Sequence, residues 1–302
     1  MHIVGLVSID LAYLELFVTD LEASASFAEQ VCRLRETGRE HDAVYFSAGR
    51  RPHELVLRAA ATASCATIGF QAGDEAELEA IGDRLRRIGV EVAESSGPDR
   101  EVDRALRFAG PDGQLFEVAA GPPIYEPRGD GEDLLRPRRL GHVSLKTPNP
   151  RRLEDFLVDQ LGLRVSDRVG DRAAWLRANT DHHGVAVMQE PAGMHHYAFE
   201  LPDWASFKAV GDHLRTHGRT FIWGPGRHGP GNNLFGYFLD PEGCVIEFYS
   251  ELEHVEDESH HEVGEWADRP ETFNVWGPGP PAGWHDHGLP LASVTEGAHA
   301  GL

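Results

Sequence analysis

An internal repeat is the strongest indication of how this chain folds. Residues 108–117 read FAGPDGQLFE and residues 238–247 read FLDPEGCVIE, an offset of 130 positions. Two further pairs of segments match at an offset of 129: residues 10–27 with 139–156, and residues 67–74 with 196–203. Self-similarity at a fixed spacing indicates that one structural unit occurs twice. We therefore expect two tandem domains, at 1–130 and 131–252, and a tail at 253–302 that is acidic and contains proline, glycine and tryptophan.

The local patterns within the two copies agree with each other. Each copy begins with an apolar strand, and a helix follows whose N-cap is Asp20 in the first copy and Asn149 in the second. A later helix over about 204–217 precedes a hairpin whose turn reads Asp240-Pro241-Glu242-Gly243, a sequence typical of tight turns. Each half thus contains the order βαβββ twice, which predicts an α+β fold.

Charge and cysteine content restrict the partners and the location. With 28 basic and 49 acidic residues the formal charge is −21, so the positive surface that nucleic acids require is not expected. No apolar run reaches the roughly 18 residues of a membrane-spanning helix. Three widely spaced cysteines without a CxxC pair, Cys32, Cys65 and Cys244, are typical of the reducing cytoplasm. We expect a cytoplasmic protein with neither a nucleic-acid nor a membrane partner.

Histidines concentrate in the second half, where 14 of the 17 follow residue 130. Three predicted strands of that half carry His142, His196 and Glu247. Two neutral imidazoles and one carboxylate form a ligand set that leaves coordination positions open and suits non-haem Fe(II), with Mn(II) as the alternative. The matching residues of the first half are Tyr13, Thr67 and Glu117, so the first domain is expected to be free of metal.

The second half resembles a known family. The segments LGHVSL (140–145), MHHYAFEL (194–201) and GPGRHGPGNNLFGYFLDPEGCVIEFY (224–249) are similar to the metal-site segments of type I extradiol ring-cleavage dioxygenases. These catechol 2,3-dioxygenase-like enzymes belong to the vicinal oxygen chelate, or glyoxalase, superfamily. The resemblance implies two domains, each a half-open barrel of two βαβββ modules. It also implies Fe(II)-dependent insertion of both atoms of O2 into a catechol-type ring, which gives a muconic semialdehyde-type product.

The resemblance implies a role for individual residues of this chain. His142, His196 and Glu247 would bind the iron, whereas His195 would not, because adjacent residues of a strand face opposite sides. His183 aligns with the histidine that acts as acid–base catalyst, and His182 is the less favoured register.

Two further positions follow from the same resemblance. Tyr237 aligns with a tyrosine that hydrogen-bonds a substrate or intermediate oxygen. His228 aligns with a second histidine near the metal, and Asn232 is the alternative for that role. The tail segment NVWGPGPPAGW (274–284) resembles the end of the same enzymes, so the tail, with Trp266, Trp276 and Trp284, is expected to close over the pocket.

Several alternatives stay open. A different metal-dependent enzyme of the superfamily, an isomerase, lyase or hydrolase, would share the ligand set, and an aromatic- or antibiotic-binding protein would share the fold. The match of GPGRHG to a dinucleotide-binding loop is weak because a strand, not a helix, is predicted after it. The histidines of the segments at 259–262 and 285–287 are interpreted as solvated, and His182 and His195 as packing or surface residues. Members of the resembled family are commonly homo-oligomers, and we expect the same here.

Overall fold

The computed structural model describes residues 9–49, 51–95, 104–121 and 133–293. In the first half, the elements in chain order are β1 (Ile9–Val18), α1 (Leu21–Gln30), β2 (Arg35–Arg39), β3 (Ala43–Ser47), β4 (Leu55–Ala59), β5 (Ser64–Ala72), α2 (Glu75–Arg87), β6 (Val92–Ser95), β7 (Ala105–Ala109) and β8 (Leu115–Ala120). The eight strands form one sheet in the order β2-β3-β4-β1-β5-β8-β7-β6. The first half therefore contains two βαβββ modules, as predicted.

The second half repeats this arrangement. Its elements are β9 (Leu140–Thr147), α3 (Pro150–Phe156), a π-helical turn (Leu157–Leu161), β10 (Arg164–Val169), β11 (Ala173–Arg177), β12 (Val185–Gln189), β13 (Gly193–Glu200), α4 (Trp204–Thr216), β14 (Trp223–Arg227), β15 (Leu234–Leu239) and β16 (Val245–Ser250). Their order in the sheet is β14-β15-β16-β13-β9-β12-β11-β10, which is that of the first half. The prediction of an α+β fold with two tandem, repeated units is confirmed.

Local sequence explains where the helices of each module begin. The N-cap residues Asp20, Asp74, Asn149 and Asp203 all accept a hydrogen bond from the first turn of the helix that follows. Such caps satisfy backbone N–H groups that have no partner inside the helix. The longest described helices have 13 residues, and none is long and apolar enough to cross a membrane.

The tail adds short elements to the second sheet. These are β17 (Gly264–Glu265), α5 (Pro270–Phe273) and a 3₁₀ turn (Trp284–Asp286). β17 pairs in parallel with β10, and Leu289 and Leu291 make isolated bridges to Met194 of β13 and Cys65 of β5. The described part of the tail is thus attached to both sheets and is not simply a solvated extension.

One hydrophobic core runs through both halves. The same cluster contains Leu14 and Phe116 from the first sheet and Val143 and Phe248 from the second. Polar contacts accompany it at the boundary: the Leu140 N–H donates to Glu54, and Asn179 donates to Asp10. The two sheets therefore pack against each other as one body.

Candidate metal centre

The strand register of the second sheet brings three side chains together. β13 lies between β9 and β16, and Ala198 is the partner of His142 on one side and of Glu247 on the other. His196 lies two residues before Ala198, and residues two apart in a strand share a face. His142, His196 and Glu247 therefore converge from three strands onto one face of the sheet, although they are distant in sequence.

The geometry of these three residues suits a single ion. One ligand atom from each lies within 4.8 Å of the other two, and all three residues are buried. Glu247 Oε2 is 2.9 Å from His142 Nε2 and 3.2 Å from His196 Nε2. Bonds of about 2.0–2.2 Å to one divalent ion, at right angles, separate two ligand atoms by about 3 Å. The predicted ligand set is present as a cluster, and the two distances to Glu247 are those expected of atoms that share one ion.

The charge state of the cluster also suits a cation. Burial by itself would raise the pKa of Glu247, but the adjacent His142 and His196 hold it well below its usual range. Burial lowers the pKa of His196. A buried carboxylate beside two imidazoles is the donor set that a divalent metal ion neutralises and coordinates.

His195 fixes the orientation of His196. The Nδ1 atoms of the two rings are 2.8 Å apart, and His195 Nε2 lies 3.0 Å from the carbonyl oxygen of Trp284. Because a carbonyl only accepts, His195 Nε2 donates to it. Burial lowers the pKa of His195 to about 2, so the ring is neutral and its Nδ1 accepts from His196. The Nε2 lone pair of His196 then faces Glu247, as a metal ligand requires.

His195 is fully buried, which agrees with its interpretation as a packing residue and not with the alternative of a surface residue. Adjacent residues of a strand face opposite sides, so the sequence separates His195 from the ligands. The sequence does not indicate that the carbonyl of Trp284, 89 positions away, accepts from His195.

Three more predicted side chains line the same cavity. The His183 ring centroid is 4.5 Å from that of His142. The Tyr237 hydroxyl lies 2.9 Å from His228 Nε2. His228 Nδ1 lies 2.6 Å from the carbonyl oxygen of Phe273 and donates to it, so Nε2 accepts from the tyrosine.

The cavity sets the protonation of these groups. Burial lowers the pKa of His228 to about 4 and that of His183 well below the ordinary value for histidine. Burial, together with the charge of Glu247, raises the pKa of Tyr237 well above its ordinary value. At neutral pH the cavity therefore presents two neutral imidazoles and a protonated phenol next to the ligand cluster.

The structure separates the two candidates for the position near Tyr237. His228 lies against the cavity, whereas Asn232 is exposed and bonds to Arg227. The neighbouring Asn233 is fully buried and donates to Glu247 Oε1 at 3.2 Å. Sequence reasoning missed Asn233. Its spacing of four residues from Tyr237 places both on one face of an extended segment, and this was the available signal.

The cavity has a polar floor and an apolar wall. The apolar residues that line it include Val169, Ala173, Trp175, Val187, Met188, Trp223, Phe273, Pro280 and Trp284. Charged residues at the rim pair with each other, Arg172 with Asp268 and Glu190 with His285. Trp284 belongs to the tail, which agrees with the predicted closure over the pocket, whereas Trp276 is 52% exposed.

The first half holds a different arrangement at the matching positions. The Tyr13 hydroxyl donates to Glu117 Oε1 at 2.7 Å, and Arg107 pairs with the other oxygen of the same carboxylate at 2.9 Å. Thr67 donates to Glu15. Glu117, the carboxylate that matches Glu247, is thus bonded to a phenol and a guanidinium.

The other motifs have ordinary surroundings. The segment GPGRHG lies at β14 and its following loop, with β15 and not a helix after it, as predicted. Across the described ranges, the one group of three potential metal ligands is His142, His196 and Glu247. His285 pairs with Glu190, and His260 with Asp257.

Comparisons with known proteins agree with the site and the fold. Metapyrocatechase 2 from Cupriavidus necator is 32% identical over 228 residues, which cover 68% of this chain and 70% of the relative. The iron-dependent extradiol dioxygenase of Rhodococcus jostii is 29% identical, over 88% of this chain and 95% of the relative.

A solved structure and a family model extend this likeness over both halves. The Mn(II)-bound glyoxalase from Novosphingobium aromaticivorans superposes with a TM-score of 0.86 at 28% identity, over 96% of this chain and 99% of the other. The sequence model of one superfamily matches residues 10–118 and 139–248. This chain therefore belongs to the Glyoxalase/Bleomycin resistance protein/Dioxygenase superfamily.

Proposed function

We propose that this protein is a metal-dependent extradiol dioxygenase, which opens a catechol-type ring beside its two hydroxyls with both atoms of O2. The product would be of the muconic semialdehyde type. One observation carries the proposal: the His142, His196 and Glu247 cluster forms the floor of a cavity that also presents His183, His228 and Tyr237. The names of the relatives from Cupriavidus necator and Rhodococcus jostii support it.

The resident metal in this proposal is Fe(II), with Mn(II) as the alternative. Imidazole and carboxylate ligands accept both ions. One relative is named as iron-dependent, and the similar glyoxalase structure contains Mn(II). A bound divalent ion would lower the pKa of the diol hydroxyls and hold diol and O2 next to each other.

The side chains of the cavity would manage the protons. His183 is neutral and is proposed to accept a proton from the diol and to return it later. The Tyr237 hydroxyl, which is bonded to His228, can turn to donate to an oxygen that gains negative charge. The apolar wall would bind the ring and exclude water.

The remaining assignments are also proposals. We infer that the chain divides into 1–130, 131–252 and 253–302, that metal binds only in the second unit, and that the protein is a cytoplasmic homo-oligomer without nucleic-acid or membrane partners. Three free, buried cysteines support a reducing compartment. Trp204 and Trp276 are each about half exposed, and their ring centroids are 5.7 Å apart. Together they offer an apolar patch for self-association.

The test is anaerobic reconstitution with Fe(II) or Mn(II), followed by oxygen uptake with a panel of catechols. We expect metal-dependent uptake of one O2 per diol and a yellow product. Glu247→Ala is expected to lose the metal, whereas Glu117→Ala, its counterpart in the first half, keeps the full metal content. A chain that binds one Fe(II) but consumes no O2 with any diol would contradict the proposal.

A second candidate has a specific observation behind it. The similar structure from Novosphingobium aromaticivorans is described as a glyoxalase, which favours a metal-dependent isomerase, lyase or hydrolase. Turnover that needs the metal but not O2 would decide for this class. Binding of an aromatic ligand without metal or turnover would decide for a binding protein.

A further inference from the structure

His182 and His183 form a buried pair that continues to a carboxylate. Their Nδ1 atoms are 3.0 Å apart, and the two rings are nearly perpendicular. The other nitrogen of His182, Nε2, lies 3.2 Å from Asp167 Oδ2. Trp266 of the tail donates its indole N–H to the same oxygen at 2.7 Å. A row of polar groups thus leads from the tail to the cavity.

The donors and acceptors of this row determine where the protons are. An ionised carboxylate only accepts, so His182 carries its proton on Nε2. A His182 ring that holds only this proton accepts at Nδ1, and His183 then donates to it from its own Nδ1. A neutral His183 therefore has its lone pair on Nε2, and its ring lines the cavity.

The surroundings hold the row in place. β10 has a register irregularity between Val165 and Asp167, and Ser166 at that position donates its hydroxyl to the His182 carbonyl at 2.6 Å. β17 pairs Gly264 with Asp167, and a Cβ on Gly264 would lie 2.1 Å from Asp167 Oδ1. A glycine at 264 is therefore necessary for this carboxylate position.

We propose that Asp167 and His182 are positioning residues, which hold His183 in the tautomer that offers Nε2 to the substrate. The inference deepens the proposed function and rests on it for the role of His183. When His183 Nε2 takes a proton from the diol, its Nδ1–H already donates to His182. The proton stays on His183, because His182 Nδ1 still accepts from His183 and His182 Nε2 still donates to Asp167.

The first test is the tautomer itself, which needs neither a variant nor turnover. Long-range ¹H–¹⁵N spectra of histidine-labelled, Zn(II)-loaded protein report which ring nitrogen carries hydrogen. We expect His183 protonated on Nδ1 and His182 on Nε2. His183 protonated on Nε2 would overturn the inference. An enzyme that shows no O2 uptake would remove the proposed function but would leave this readout unchanged.

The second test is Asp167→Ala. His182 Nε2 and the Trp266 N–H both bond to Oδ2, so an Asn at 167 would still offer an oxygen to His182, whereas Ala removes the acceptor and no longer holds the two histidines in these tautomers. We expect kcat to fall by roughly 10²-fold, within the range of positioned acid–base groups, with KM and metal content unchanged. Asp171→Ala, on the exposed turn before β11, is the matched control and is expected to retain full activity.

A third variant separates positioning from folding. His182→Gln is expected to lower kcat as well, whereas Trp266→Phe leaves the Asp167–His182 bond in place and lowers kcat much less. If Asp167→Ala folds and keeps both the wild-type tautomer of His183 and the wild-type kcat, the assignment is wrong. If Asp167→Ala does not fold, the tautomer in the wild-type protein and the kcat of His182→Gln decide.

Discussion

Two pairs of adjacent histidines surround the candidate metal, and in each pair an outer ring fixes an inner one. His196 is fixed by His195, which bonds to a carbonyl, and His183 by His182, which bonds to a carboxylate. A carbonyl is neutral, so the first pair suits a ligand that stays neutral. A carboxylate carries charge, so the second pair suits a ring that becomes positive in the reaction.

The proposed acid–base role of His183 predicts a defined loss. His183→Phe keeps the aromatic contact with His142 but removes the nitrogen that takes the proton. We expect turnover to fall by roughly 10²–10⁴-fold, with metal content and substrate binding retained. Single-turnover kinetics with bound metal measured in parallel provide the test. Unchanged turnover would remove the assigned role.

We expect the metal-free chain to lose stability in acid, because it buries neutral histidines. Burial lowers the pKa values of His195 and His228 to about 2 and about 4, whereas an exposed histidine titrates near 6.5. The unfolded chain binds more protons below pH 6.5, so stability that is present above that pH is lost as pH falls. Each of the two rings should lower the free energy of unfolding by about 2 kcal/mol between pH 7 and pH 5.

Urea unfolding at a series of pH values, with chelator present, measures this loss. His228→Gln should lower the pH slope by close to one proton, whatever its effect on absolute stability. An unchanged slope would show that His228 does not contribute.

Sequence reasoning predicted the three candidate ligands but gave no role to the outer rings, and the reason is physical. His142, His196 and Glu247 are recognisable because metal chemistry demands those residue types on strands. The importance of His182 and His195 depends on Asp167 and Trp284. Those partners are brought to them by tertiary packing, which leaves no mark on the sequence near the histidines.

At the scale of elements, the central strands were predictable and the edge strands were not. The hairpin of β15 and β16 follows from its turn sequence and its apolar flanks. β2, β6 and β14 lie at sheet edges, and β2 reads RETGR and β14 WGPGR. An edge strand pairs on one side only and needs no continuous apolar pattern, so nothing in its composition indicates a strand.

The tail is the element whose attachment is easiest to test. Gly288 has a φ of +111°, and a Cβ there would lie 2.2 Å from the Met194 carbonyl oxygen. Gly288→Ala should weaken tail docking by about 1–3 kcal/mol, because strain and close contact act together. We expect a higher KM, faster proteolysis of the tail and greater iodide quenching of Trp284, with metal retained.

Gly218→Ala is the matched control for this prediction. Gly218 also has a positive φ, of +68°, but a Cβ there would meet nothing within 4 Å, and therefore no atom of the tail. Gly218→Ala should lower the stability of the fold through backbone strain and leave KM unchanged. Equal effects on KM from both variants would contradict the role of the tail contact.

At the scale of the whole molecule, the repeat does not make two independent domains. The core cluster crosses from one sheet to the other, and Glu242 of the second half accepts hydrogen bonds from the backbone and side chain of Thr19. We expect calorimetry of the metal-free chain to show one transition, with equal calorimetric and van't Hoff enthalpies.

Metal should raise the temperature of that whole transition, because ligand binding stabilises whatever unfolds together with the site. Two separate transitions, or a shift of only part of the heat absorption, would show that the halves unfold on their own. Glu247→Ala, which lacks a metal ligand, is the control in which added metal leaves the midpoint in place.

The position of Trp284 so late in the chain has a consequence for biosynthesis. Translation proceeds from the N-terminus, so His142, His196 and Glu247 all leave the ribosome before the segment from Trp284 to Leu291 that completes the cavity wall and bridges the sheets. A nascent chain has its ligands before it has its closed pocket, and an ion meets an open cleft at that stage. A fusion partner or truncation at the C-terminus would therefore act on the last step of pocket assembly.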